Sequence, residues 1–252
     1  MAMSPYILEA DALRKDFGGF SAVAGVNLRI QRGTIHALIG PNGAGKSTVF
    51  NLLTKFLQPT GGTITYNGQD ITRLRPAAVA RLGIVRSFQI SAVFSHMTVR
   101  DNLRVALQRR LGTSFHFWRD SAGLDVLDGR AEQLIAAVGL QDAIDVIAAE
   151  LSYGRRRALE IATTLALDPE LLLLDEPMAG LGREDIGTIS DLIRQVGERY
   201  TVLMVEHNLS VVSALSNRIT VMARGQVLAE GSYAEVSANP DVRSAYMGAA
   251  HA

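Results

Sequence analysis

Residues 40–48 read G-P-N-G-A-G-K-S-T, the Gly-x-x-x-x-Gly-Lys-Ser/Thr spacing of a phosphate-binding loop. Each residue type there meets a separate need. Gly40, Gly43 and Gly45, with Pro41, Asn42 and Ala44 between them, let the backbone wrap so that successive N–H groups face phosphate oxygens. Lys46 brings a positive charge to the β- and γ-phosphates, the Ser47 hydroxyl can ligate Mg²⁺, and Thr48 leads into the following helix. A second set comes much later, where four leucines run into Asp175-Glu176-Pro177. A carboxylate at the end of a buried strand beside a phosphate loop can hold Mg²⁺ through its water shell, which is the role expected of Asp175. Glu176, next along, is placed to polarise a water for in-line attack on a γ-phosphate.

These groups need a scaffold, and the surrounding sequence supplies one. Residues 36–40 read as a buried strand entering the loop, and residues 46–56 as a helix whose N-terminus adds partial positive charge. Short strands are expected over residues 6–10 and 26–30, with Lys15 to Phe20 as a turn headed by Phe17. Another strand is expected at residues 63–66, a helix at 76–82 and a strand at 83–88 ending at Gln89. From residue 90 to 151 the pattern turns helical. Thr98 and Asp101 make a capping-box-like start, with Val99, Leu103 and Leu107 on one face. A second helix at 130–138 carries Leu134, Ile135 and Val138 and stops at Gly139. The aromatic stretch S-F-H-F-W-R-D at 114–120 has no clear period and is read as packing a loop onto its own helices. Ser152 then caps a helix to residue 167, and the unbroken run 171–174 suits a parallel strand covered on both faces. Helix 184–196, strand 201–205, helix 209–215 and strand 219–223 follow, with a capping box at Ser232 and Glu235 and a last helix at 241–247. Alternation of this kind predicts an α/β fold with a parallel sheet.

The bulk numbers narrow the classes. Lys and Arg total 25 against 25 Asp and Glu, so charge gives no sign of a nucleic-acid partner. The absence of cysteine excludes disulfides, thiolate metal sites and cysteine nucleophiles. With 48 % apolar residues and no apolar run near the ~20 residues that span a bilayer, the chain is expected to stay in the cytosol. A membrane, if involved, is supplied by another polypeptide.

L-S-Y-G-R at 151–155 completes a set that resembles the ATPase subunits of ABC transporters over essentially the whole chain. The resemblance implies a P-loop NTPase (RecA-like) core with a parallel sheet, an N-terminal antiparallel β subdomain, and an inserted α-helical subdomain. As a single ABC domain it would have residues 1–89 and 152–252 as core and 90–151 as helical part. By the same resemblance Phe17 is the aromatic that stacks on adenine. Gln89 completes the metal or attacking-water shell, and His207 in V-E-H holds Glu176 and water in line with the γ-phosphate. Ser152 and Gly154 would cap the ATP bound by a second ABC ATPase chain, so that two chains sandwich two ATPs with Mg²⁺. His36, His96, His116 and His251 show no ligand spacing and are read as structural. Arg155, Arg156 and Arg157 suit either a solvated helix face or a phosphate-facing one. Tyr153 and Arg155 stand where many members have Gly and Gln. Gly182 replaces the usual Asp or Asn of the D-loop, which predicts weaker communication between the two sites.

R-S-F-Q at 86–89, V-E-H-N-L-S and the ending N-P-D-V-R-S-A-Y-M-G are similar to the branched-chain amino-acid importer (LivG-type) branch. That branch implies two transmembrane permease subunits, a periplasmic binding protein acting indirectly, and a peripheral place on the cytoplasmic face of the inner membrane. Phe94 and Met97 are the candidates for the groove that receives the permease's coupling helix. ATPases of urea or short-amide import and of lipopolysaccharide export share much of this pattern. A soluble ABC ATPase of DNA repair or translation would need a basic bias, and usually a coiled-coil insertion or a second module. A phosphate-loop kinase or GTPase leaves L-S-Y-G-R unexplained, and a non-hydrolysing module leaves Glu176 unexplained.

Overall fold

The computed structural model describes residues 4–87, 93–108 and 127–248, which fall into two units. The first comprises Met1–Arg86, Glu170–Pro177 and Arg194–Ala252, and the second Ser87–Pro169 and Met178–Ile193. In chain order, β1 (Tyr6–Phe17) and β2 (Phe20–Gln31) form a hairpin, β3 (Ile35–Ile39) enters the phosphate loop, and α1 (Lys46–Leu53) leaves it. Next come β4 (Gly61–Tyr66), β5 (Gln69–Asp70), α2 (Pro76–Arg81) and β6 (Ile84–Ser87). The helices α3 (Val99–Gln108), α4 (Asp128–Ala137) and α5 (Tyr153–Leu165) follow, then β7 (Leu171–Asp175) and α6 (Arg183–Gly197). The chain ends with β8 (Thr201–Val205), α7 (Leu209–Leu215), β9 (Arg218–Ala223), β10 (Gln226–Gly231), α8 (Tyr233–Ala238) and α9 (Pro240–Gly248).

The first unit holds two sheets. One is antiparallel, in the order β2-β1-β4-β5, and the other runs β10-β9-β3-β8-β7-β6. In the second sheet β3 pairs in parallel with both β8 and β9, and β7 in parallel with β8. Every residue of β3, β7 and β8 is buried, which is why these runs lack polar alternation. Register sets the chemistry in place. Val205 pairs with Leu38 on one side and Asp175 on the other, so Asp175 lies level with the last turn of strand before the loop. One core cluster joins Val49, Phe50, Leu52 and Leu53 of α1 to Leu8, Leu28 and Ile64 of the antiparallel sheet and Leu38, Leu173 and Leu203 of the parallel one. Each such side chain contributes roughly 1.5–3 kcal/mol on burial, so α1 is fixed far more by its apolar face than by its eight residues of helix.

In the second unit Val99, Leu103 and Leu107 of α3 are buried, as are Leu134 and Ile135 of α4 and Leu159, Ala162 and Leu165 of α5. Thr98 does start α3: its hydroxyl accepts from Asp101 N at 3.1 Å and donates to Asp101 Oδ2 at 2.8 Å. Arg104 of α3 grips Asp128 of α4 with two bonds of 2.7 Å. Gly139, at φ 70°, ends the second helical stretch in the left-handed conformation that favours glycine. Among the described residues no helix is long and apolar enough to cross a membrane. The aromatic stretch at 114–120 lies outside the described residues.

The first hairpin and β10 differ most from expectation. The first hairpin has two 12-residue strands where two short ones were expected, and its turn is only Gly18-Gly19, with Phe17 opposite Phe20. Register shifts along the pair, with Ala12 and Gly25 at positive φ, break the period-2 alternation that marks a strand. β10 was not expected at all. It is an edge strand, half-buried over most of its length, so its sequence never shows a clean apolar face.

His36 is structural, as read. It is fully buried on β3 with Nε2 at 2.8 Å from the Thr220 hydroxyl, which itself donates to Glu230 Oε2 at 3.0 Å. Because that hydroxyl spends its proton on Glu230, His36 must carry its own proton on Nε2. Nδ1 is buried and has no partner among the described residues. Burial therefore pushes the imidazole down to about 4. The folded protein resists protonation that the unfolded chain accepts near 6.5, so this contribution is complete above that pH and is lost as pH falls toward 4. Lowering the pH from about 7 to about 5 should cost about 2 kcal/mol of unfolding free energy in urea titrations, and His36→Gln should flatten that slope.

Candidate functional site

The loop between β3 and α1 is shaped by backbone that leaves no room for side chains. Gly40 has φ 151°, and a Cβ there would lie 2.2 Å from Met222 O. Gly45, at φ 101°, would place one 2.6 Å from Ala22 O. The loop is tied to its neighbours by Gly225 N donating to Ala44 O at 3.0 Å and Ala24 N donating to Gly225 O at 2.8 Å. Gly45 is also the N-cap of α1 and no side chain caps it, while the first turn holds no acid. The leading N–H groups of α1, from Lys46 to Thr48, have no acceptor within the helix, and with the helix dipole they form an anion site.

Lys46 is buried inside this turn. Its Nζ donates to Gly40 O at 2.7 Å and Pro41 O at 3.0 Å. Burial pulls its pKa below the ordinary lysine value, and the charges of Glu176 and Asp175 oppose that pull. Ser47 is exposed and Thr48 half-buried. A cleft of ≈ 640 Å³ lies beside the loop, walled by Pro41, Asn42, Gly43 and Ala44 with Arg224, Gln226 and Asp241. Phe17 stands at the tip of the hairpin whose β2 strand brings the Ala22 carbonyl close to Gly45. It is 45 % exposed, with Lys15 Nζ 5.1 Å from its ring centroid.

Asp175 ends β7 and is 3 % exposed. Glu176 follows at φ 46°, a left-handed conformation uncommon for glutamate, and its N–H donates to Val205 O at 2.9 Å. That bond holds the turn at the strand end while the side chain leaves the sheet. His207 is exposed just beyond β8. Its backbone is anchored by a residue the sequence reading passed over. Glu206 is fully buried and its Oε2 accepts from His207 N at 3.0 Å and Asn208 N at 3.2 Å. The signal was in V-E-H itself, read only for its histidine. Asn208 then caps α7 through Ser210 N and Val211 N. Gln89 lies outside the described residues.

Ser152 and Gly154 belong to the second unit. Ser152 is exposed and its side chain accepts from Arg155 N as the N-cap of α5. A Cβ at Gly154 would lie 2.2 Å from Asp185 Oδ1, so any larger residue there would push the Asp185 side chain aside. Tyr153 donates its hydroxyl to Ala179 O at 3.2 Å, and its ring lies against Gly180. The unusual tyrosine therefore ties the L-S-Y-G-R turn to the M-A-G-L-G segment beside it. The three arginines are engaged within their own unit: Arg155 with Asp142, Arg156 with the carbonyls of Ala149 and Leu151, and Arg157 with Glu160 at 2.7 Å. At Gly182 a Cβ would stand in open space, while the carbonyl accepts from Ile186 N at 3.0 Å.

A wrapped glycine loop opening a helix, a buried lysine inside it and two carboxylates at a strand end level with it define a nucleoside-triphosphate-binding protein. The comparisons make this narrower. Residues 23–179 match the ABC transporter family model, and residues 226–252 match that of the branched-chain amino acid ATP-binding cassette transporter. The chain belongs to the ABC transporter ATP-binding family, whose members are ATPases that drive transport. It is 40 % identical, over 98 % of this chain and 100 % of the relative, to the high-affinity branched-chain amino acid transport ATP-binding protein BraF of Pseudomonas aeruginosa. It is 41 % identical, over the same shares, to LivG of Escherichia coli, which carries the same description. A solved ATP-binding cassette of an ABC transporter in its ADP conformation superposes with a TM-score of 0.84 at 30 % identity, covering 96 % of this chain and 99 % of that one. A nucleotide-free cassette gives 0.82 at the same identity, covering 96 % and 98 %.

Gly40→Ala tests the loop's shape. The added methyl meets a backbone carbonyl and cannot be relieved by a rotamer change, so unfolding free energy should drop by about 3 kcal/mol in urea melts and nucleotide binding should be lost.

Proposed function

We propose that this chain is the ATP-hydrolysing subunit of an importer for branched-chain or related amino acids, working as one of two ATPase chains beneath two membrane permeases. The observation that carries the reading is its end-to-end similarity to transport subunits so described in two bacteria, together with the family-specific match at residues 226–252. The alternatives at the same level are import of urea or short amides and export of lipopolysaccharide.

Within this reading the loop N–H groups and Lys46 hold the β- and γ-phosphates, and Phe17 stacks on adenine. Ser47 and Asp175 would hold Mg²⁺, Ser47 directly and Asp175 through water, with Gln89 completing the shell. Mg²⁺, when bound, neutralises charge on the phosphates. The donor set fits: a hydroxyl at the first turn of α1 and one buried carboxylate suit a small, hard cation that keeps waters and phosphate oxygens in its shell. Glu176 polarises the attacking water and His207 steadies the γ-phosphate, its backbone held rigid by Glu206. Ser152 and Gly154 would cap the ATP held by the other chain, adding the N-terminal dipole of α5. Closure on ATP and reopening on hydrolysis then follow from contacts that exist in only one of the two states.

The permease would meet the second unit where residues 93–98 turn into α3. Phe94 is 52 % exposed and Met97 39 %, and Ile147, which the sequence reading missed, is 38 % exposed beside them. An antiparallel bridge between Thr98 and Ile147 brings it there, with Ala148 N donating to Met97 O at 2.9 Å. Buried Asn102 holds the turn, accepting from Phe94 N at 2.7 Å and donating to Phe94 O and Thr98 O. An apolar patch on a braced turn suits an inserted helix.

Two substitutions test the reading. Glu176→Gln should keep ATP binding and lower turnover by about 100-fold or more. Cells carrying it as their only copy should lose uptake of leucine, isoleucine and valine and keep that of urea; the opposite pattern would move the assignment to the amide branch. Phe94→Asp should leave the isolated chain's hydrolysis unchanged and abolish uptake. Normal uptake with that variant would remove the patch from the permease interface.

A further inference from the structure

Asp175 does not stand alone at the end of β7. The Arg86 guanidinium pairs with its Oδ2 through Nη2. Through Nη1 the same guanidinium donates to Asn51 Oδ1 at 2.6 Å, and its centre lies 5.7 Å from the Phe50 ring centroid. The arginine side chain is 12 % exposed and that of Asp175 only 3 %. All four residues belong to the first unit. Asn51 is four residues after Ser47 on α1, so the two share a face one turn apart. The rigid guanidinium fork therefore spans from the strand that carries the candidate metal carboxylate to the helix face that carries the candidate metal hydroxyl.

Geometry gives this bridge a purpose beyond stability. The guanidinium, itself held by Asn51, fixes the Asp175 carboxylate in one orientation before a metal arrives. Arg86 takes one carboxylate oxygen, and a carboxylate offers acceptor sites on both. The separation between Asp175 and Ser47 is then set by a cross-brace rather than by the loop alone. We propose that Arg86 is a positioning residue for Mg²⁺-nucleotide binding: through Asn51 it sets the Asp175 carboxylate against the Ser47 face of α1. The inference rests on the Mg²⁺-ATP reading above.

The test is a titration of Mg²⁺ against the purified full chain with a fluorescent ATP analogue, in wild type, Arg86→Lys and Asn51→Ala. Both variants keep the net charge around Asp175 and lose the brace. The Mg²⁺ concentration at half-saturation should rise about tenfold in Arg86→Lys, the size typical of losing a partner behind a metal ligand, and in the same direction in Asn51→Ala. Binding of the analogue without metal should not move in either, a result that a general loss of structure would not give. Wild-type Mg²⁺ dependence in folded Arg86→Lys and Asn51→Ala would overturn the proposal. Should Arg86→Lys fail to fold, Asn51→Ala decides, since Asn51 is only half-buried. Wild-type binding indifferent to Mg²⁺ would instead sink the ATP reading beneath it.

Discussion

A buried ammonium governs the first unit. Lys46 lies inside its own loop against two carbonyls, and the charges of Glu176 and Asp175 offset part of what that burial costs. The compensation works only if two strand ends far apart in sequence finish at one level. β8 enforces this by pairing Val205 with Leu38 on one edge and Asp175 on the other. Runs of fully buried aliphatics in β3, β7 and β8 are what such a sheet requires, because both of its faces must exclude water around these charges. The glycines of the loop are the same constraint seen from the backbone: with Met222 O and Ala22 O so near, only hydrogen fits at Gly40 and Gly45.

Much of this was legible in the sequence, for a physical reason. Motifs whose function is carried by backbone shape and by buried strands are local, so a strand, a glycine loop and a helix in succession reveal themselves together. The central strands and α7 fall where their patterns predict, the capping box at Ser232 forms, and Thr98 caps α3 through its hydroxyl. The misses come from distant pairing or from backbone groups that only a folded turn presents. β10 depends on an edge partner, the length of β1 and β2 on bulges that scramble their alternation, and the roles of Glu206 and Asn102 on backbone groups that only the folded turn presents. Ile147 becomes a neighbour of Met97 through a bridge between segments some fifty residues apart, which no local pattern records.

In the second unit, departures from the usual ABC pattern read as adjustments rather than decay. Tyr153 replaces a small residue in the L-S-Y-G-R turn, and its hydroxyl and ring engage Ala179 and Gly180. The segment that ends in Gly182 is thus held by Tyr153 at its middle and has room for a side chain at its end. A side chain missing at Gly182 is matched by one added at Tyr153, both within the same pair of loops.

The turn held by Asn102 has a consequence for how such a surface changes over time. One buried amide already engages the backbone N–H of Phe94 and the carbonyls of Phe94 and Thr98. At the proposed permease interface an incoming helix would gain little from the main chain there and would be recognised through the shapes of Phe94, Met97 and Ile147. Shape carried by a few exposed side chains on an internally satisfied frame can be rewritten one residue at a time without unfolding the frame. Under the proposed reading, the same ATPase could in this way be refitted to different permeases while its nucleotide site stays as it is.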